Sequence, residues 1–160
     1  MDIYEYAMQM EKDGENYYRQ MVEQTTNKGL KNILEMLADE EVMHYNIIED
    51  MKTSRPALAE TALLNDAKNV FEQIRDSNEV LDSDLGQIEL YKKAREIEKK
   101  SRDFYTEKAS EVEEEYQKEL FLRLAKEEEK HYFLLENITE FVSRPEQWLE
   151  NAEFYHLEDY

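Results

Sequence analysis

The chain repeats itself. Advanced by 87 positions, residues 4–51 fall on residues 91–138 without a gap. Tyr4, Ala7, Glu11, Lys12 and Tyr18 meet Tyr91, Ala94, Glu98, Lys99 and Tyr105. Further on, Leu37-Ala38, Glu40-Glu41 and His44-Tyr45 meet Leu124-Ala125, Glu127-Glu128 and His131-Tyr132. A period this long exceeds a solenoid unit. It fits a duplicated helical hairpin, and that duplication limits the fold more than any other feature.

Each half carries apolar residues at helical spacing. In the first, Ile3, Ala7, Met10, Tyr17 and Met21 lie on one face, and Leu30, Ile33, Leu34, Leu37, Ala38, Ile48 and Met51 follow the break at Thr25–Gly29. In the second, Leu90, Ala94 and Ile97 precede a weaker break near Val112–Glu115. Leu120, Phe121, Leu124, Ala125, Leu135, Ile138 and Val142 come after it. Ser54-Arg55-Pro56 stops the second helix. With only 3 Gly and 2 Pro in 160 residues, turns are too scarce for an all-β fold. The expectation is an all-α chain, one domain over 1–160: a hairpin over about 2–53, a crossover over about 54–85, and a second hairpin over about 86–143. The crossover is expected to hold a shorter helix over 57–76, with Asp82-Ser83-Asp84 restarting the bundle. The tail, 144–160, is expected to form a short helix through Trp148. Two hairpins joined by one long crossover make the connectivity of a ferritin-like four-helix bundle.

All three histidines follow a glutamate by three residues: Glu41 and His44, Glu128 and His131, Glu153 and His156. Two of the three pairs also have a glutamate 30 positions upstream, Glu11 for Glu41 and Glu98 for Glu128. The third has Arg123 there, so His156 reads as structural or exposed. Glu11 and Glu41 are symmetric about residue 26 and Glu98 and Glu128 about residue 113, each inside a predicted turn. At about 1.5 Å of rise per residue, each lies roughly 22 Å from its turn, hence level with its partner across the hairpin. Glu and His three residues apart share a helix face. Packing the hairpins together brings four glutamates and two histidines to one level of the core, the donor arrangement of di-iron and di-manganese bundles. Four buried carboxylates need neutralising, and two divalent cations do so. Oxygen-rich ligation with one imidazole per metal suits iron or manganese better than structural zinc.

At these positions the sequence resembles the rubrerythrin-like branch of the ferritin-like superfamily, over residues 1–142. The matching elements are Glu11 with Tyr18, Glu41-x-x-His44, Glu98 with Tyr105, and Glu128-x-x-His131. The resemblance implies that Glu11 and His44 serve one metal, Glu98 and His131 the other, and that Glu41 and Glu128 bridge. It implies reduction of peroxide or dioxygen at that site. Rubrerythrin proper adds a rubredoxin with four cysteines; this chain has no cysteine, so a separate, rubredoxin-like donor protein is expected to supply electrons. Rubrerythrin also places a further carboxylate three residues after its third-helix ligand. Here that position is Ser101, its repeat mate is Gly14, and slower turnover is expected.

Other residues have simpler readings. Tyr18 and Tyr105 stand at core spacing, as packing residues or as groups behind the ligands. Gly14 and Ser101 read as small residues permitting close helix contact, and Glu15 as a solvated glutamate. Glu40, Glu127, Glu129 and Glu113-Glu114-Glu115 are expected to face solvent. The formal charge of −19 excludes nucleic acid, since no basic patch offers to neutralise phosphate. No apolar run approaches a membrane span, and the first residues lack the pattern of a signal peptide. A cytoplasmic protein acting in oxidative stress as a homodimer or small homo-oligomer is expected. A ferroxidase or iron-storage shell and a metal-free helical interaction protein are the alternatives.

Overall fold

A computed structural model describes residues 2–77, 85–150 and Leu157. Among them the helices are α1 (Ile3–Gln24), α2 (Lys28–Met51), α3 (Leu63–Asp76), α4 (Leu85–Glu111), α5 (Glu115–Ser143) and α6 (Pro145–Glu150). The first break is built from caps. The Asp2 carboxylate accepts the Glu5 N–H at 2.8 Å to start α1, and the Thr25 hydroxyl donates to the Met21 carbonyl at 2.7 Å to close it. Two residues on, the Asn27 side chain accepts the Leu30 N–H at 3.0 Å and starts α2.

α1 packs on α2 and α4 on α5, giving the two expected hairpins. The crossover departs from expectation. Residues 55–62 are not helical, and α3 begins at Leu63. Helix-forming residues there are overridden by tertiary contacts: Leu58 is buried among the core residues at one end of the bundle, and the Tyr116 hydroxyl donates to the Pro56 carbonyl. α3 then lies against α2, where Gly29 permits the approach. A Cβ at Gly29 would stand 2.7 Å from Ile74 Cδ1 and 2.9 Å from Val70 Cγ1. Phe71 of α3 packs on Phe141 (5.1 Å between ring centroids) and Trp148 (4.6 Å), so the short tail helix closes over the crossover. The expected restart at residues 82–84 lies outside the described residues.

The core divides into two apolar clusters. Along every bundle helix one cluster gives way to the other: Ala7 to Tyr18, Ala38 to Ile48, Ala94 to Tyr105, Ala125 to Leu134. Each of these four intervals contains predicted metal ligands. The polar layer is therefore sealed at both ends by hydrocarbon. No helix among the described residues is long and apolar enough to cross a membrane.

Candidate metal centre

The structure brings all six predicted donors together. Glu11, Glu41, His44, Glu98, Glu128 and His131 are each at most 4% exposed. The two imidazoles lie nearly parallel, 5.6 Å between centroids and 8° apart in plane. His44 Nδ1 stands 3.0 Å from Glu128 Oε1 and 3.6 Å from Glu11 Oε2. His131 Nδ1 stands 3.3 Å from Glu41 Oε1, 3.4 Å from Glu98 Oε1 and 3.9 Å from Glu128 Oε2. Two donor groups result: Glu11, His44 and Glu128, and Glu41, Glu98, Glu128 and His131, with the donor atoms within 4.8 Å of one another in each. Glu128 belongs to both, as expected of a bridging ligand, whereas Glu41, of which the same was expected, belongs to the second group alone.

Tyrosine hydroxyls tie the hairpins together at this level. Tyr105 of α4 donates to Glu11 Oε1 of α1 at 2.6 Å, and Tyr18 of α1 donates to Glu98 Oε1 of α4. Both tyrosines are buried, so packing alone understates them. Gly14 has a specific reason to be small. A Cβ there would sit 2.8 Å from Glu41 Oε2, which means the side chain of Glu41 occupies the space that any larger residue would fill. Its repeat mate Ser101 is also buried.

The electrostatics are those of crowded acids. Burial, then the neighbouring Glu11 and Glu98, push Glu41 well above the ordinary carboxylate value. Burial and the charges of Glu11, Glu98 and Glu41 do the same to Glu128. Glu98 goes the other way, to about 2: burial opposes its ionisation, but the His131 charge and hydrogen bonds from Glu128, His131 and Tyr18 outweigh it. Glu11 is likewise lowered against burial, by hydrogen bonding to Glu41, by His44 and by Tyr105. His131 is raised well above the usual imidazole value, the surrounding carboxylates overcoming burial. Without metal, burial and like charge thus favour the protonated forms of Glu41 and Glu128, and the carboxylates favour that of His131.

The donor set fits two cations. Glu11 Oε2, Glu41 Oε1, Glu98 Oε2, Glu128 Oε2 and His131 Nδ1 are buried atoms without a hydrogen bond in good geometry. Each such orphan costs about 1–3 kcal/mol when nothing compensates it. Cations between the carboxylates would satisfy all of them. A protein-family model described as rubrerythrin matches residues 2–139. The chain belongs to the rubrerythrin family. Comparison with curated proteins and with solved structures gave no significant match. The fold is accordingly the ferritin-like bundle expected, and rubrerythrin membership together with the buried cluster supports a di-metal site.

Two glutamates of this rubrerythrin-family chain contradict the sequence reading. Glu40 and Glu127, expected in solvent, are 8% and 1% exposed. Glu40 reaches His131 Nε2 at 3.2 Å, and Glu127 pairs with Arg123 at 2.9 Å and Lys130 at 3.5 Å. Their signal was present: they are repeat mates, each one residue before a ligand. Glu129 is half-exposed beside Arg102, and Glu113, Glu114 and Glu115 are exposed as expected. Glu15 is partly buried, held by Lys12 and Arg19 rather than directed to the site. His156 lies outside the described residues.

Proposed function

We propose that the chain is a di-iron redox enzyme that reduces hydrogen peroxide, with dioxygen as the slower oxidant, using electrons from a separate donor protein. The observation that carries this reading is the duplicated, tyrosine-braced set of six buried donors at one level of the bundle. Two Fe(II) ions held there would supply the two electrons that cleavage of one O–O bond takes, and positive charge for the oxyanions that form. Glu11 and His44 would hold one and Glu98 and His131 the other, with Glu128 shared and Glu41 grouped with the second.

The remaining work belongs to the protein. Two apolar clusters exclude water above and below the site, strengthening every charge interaction inside it. Tyr18 and Tyr105 keep their protons, since burial and the adjacent carboxylates raise both well above an ordinary phenol. They therefore remain donors to Glu98 and Glu11 and hold both carboxylates in place. No cysteine occurs in the chain, so a thiolate-bound electron store must come from elsewhere.

The test mixes anaerobically reduced, iron-loaded protein with peroxide or with air-saturated buffer in a stopped-flow spectrometer. Oxidation is expected to be faster with peroxide, with iron near two per chain and a dimer-sized particle. Iron accumulating far beyond two per chain in a cage-sized particle would replace this reading with ferroxidase and storage. Purified protein that binds neither iron nor manganese would leave the helical interaction protein.

A further inference from the structure

The repeat makes the ligands equivalent, yet it does not make their supports equivalent. Behind His131, Glu40 Oε1 meets Nε2 at 3.2 Å. By the repeat, Glu127 should stand in the same way behind His44. It is fully buried, but its Oε1 is engaged by Arg123 Nη1 at 2.9 Å and Lys130 Nζ at 3.5 Å. His44 Nε2 has no hydrogen-bond partner among the described residues.

The cause is local. Arg123 and Lys130 lie four before and three after Glu127, on the same face of α5. Their repeat mates around Glu40 are Met36 and Met43, which carry no charge. Glu40 is left for the imidazole, its Oε1 in hydrogen-bond reach of His131 Nε2. A carboxylate on the outer nitrogen fixes the ring, leaves Nδ1 free for a metal and raises its basicity. The outer charges also differ: Glu127 is balanced by Lys130 and by Arg123, which in turn stands 3.6 Å from Glu60, whereas uncharged methionines occupy the matching positions around Glu40.

We propose that the two metal positions are inequivalent: the His131–Glu98 position binds a divalent cation more tightly and fills first, with Glu40 as its positioning residue. The His44–Glu11 position is the weaker, exchangeable one. This rests on the di-metal reading above.

The experiment is calorimetric titration of the metal-free full chain with Mn(II). Two binding steps separated by about 10- to 100-fold are expected, the scale on which outer partners of histidine ligands act. His44→Ala should retain the tight step and His131→Ala only the weak one. Glu40→Gln should weaken the tight step by about 10- to 100-fold and spare the other. Arg123→Met combined with Lys130→Met gives the second half the outer shell of the first. It should release Glu127 to His44 and tighten the weak step, a result that does not depend on how Glu40→Gln folds. Equal steps in the wild-type chain, a Glu40→Gln effect shared by both, or an unmoved weak step in the double variant overturns the inequivalence and leaves two metals standing. No Mn(II) bound at all overturns the di-metal reading itself.

Discussion

Replacing Tyr105 with Phe isolates one hydrogen bond inside the polar layer. The ring is fully buried and its hydroxyl donates to Glu11 Oε1 at 2.6 Å. Phe fills the same space, so no cavity term enters, and the loss is that of a buried bond to a charged acceptor, about 1.5–3 kcal/mol. The other oxygen of Glu11 has no partner in good hydrogen-bond geometry, His44 Nδ1 standing 3.6 Å away, which leaves the carboxylate little means of recovery. At roughly 2–4 °C per kcal/mol for a chain of this length, a loss near 2 kcal/mol lowers Tm by about 4–8 °C. The assay is thermal unfolding of chelator-treated protein, followed by circular dichroism. The sign of the pH dependence follows from Glu11, whose folded pKa lies below its ordinary 4.5 despite burial. A depressed carboxylate adds stability above the unfolded pKa and loses it as pH falls through the folded one. The deficit of Tyr105→Phe is therefore full at pH 7 and shrinks in acid below 4.5. A Tm within 1 °C of wild type at pH 7, or a deficit that grows in acid, would refute the argument. Tyr18→Phe should behave alike through Glu98, and the double variant should depart from additivity because Glu41 and Glu128 neighbour both acids.

Metal-free protein should be most stable in mild acid. The raised Glu41, Glu128 and His131 contribute fully below their unfolded values of 4.5, 4.5 and 6.5 and lose that contribution as pH rises through their folded ones, while Glu98 loses its own as pH falls toward about 2. Denaturant melts from pH 3 to 9 check this, and stability climbing steadily to pH 9 would contradict it. Saturating Mn(II) should stabilise the chain increasingly as pH rises, because its ligands must first lose protons. Gly14→Ala should weaken metal binding roughly ten-fold by displacing Glu41, whose Oε2 would lie 2.8 Å from the new Cβ, yet leave the metal-free helix no less stable; calorimetry and melting separate the two effects. Phe71→Ala should cost about 3–5 kcal/mol, read by denaturant melts, without altering metal stoichiometry.

The site was legible because its ligands come in register twice. Glu11, Glu41 and His44 are tied to Glu98, Glu128 and His131 by one spacing, and antiparallel hairpin geometry turns that spacing into shared height. What lay behind the ligands was harder to read. Glu40 is one residue from Glu41, about a quarter-turn round the helix, and pattern alone assigns it to water. The residues around Thr61, at the entry to α3, cover that quarter, and a crossover contact leaves no local trace. Residues 57–62 misled for the same reason: their helix-forming composition is real, but Leu58 gains more by entering the core. The tyrosine bonds join residues 80 and 94 positions apart, beyond the reach of helical periodicity, although their matched spacing from Glu11 and Glu98 hinted at a shared role.

The exchange of tyrosines between hairpins has a consequence for ancestry. Tyr18 reaches the ligand of the second hairpin and Tyr105 that of the first, each doing for the other unit what the other does in return. Reciprocity of this kind is the property of an isologous, two-fold interface. Two identical copies of a single hairpin would already complete the same six donors, but every substitution in them would appear twice. A change that cages Glu127 between cations would then cage its counterpart as well. Joining the copies in one chain removes that constraint, and the contrast of Met36 and Met43 with Arg123 and Lys130 is an asymmetry that two identical copies could not hold.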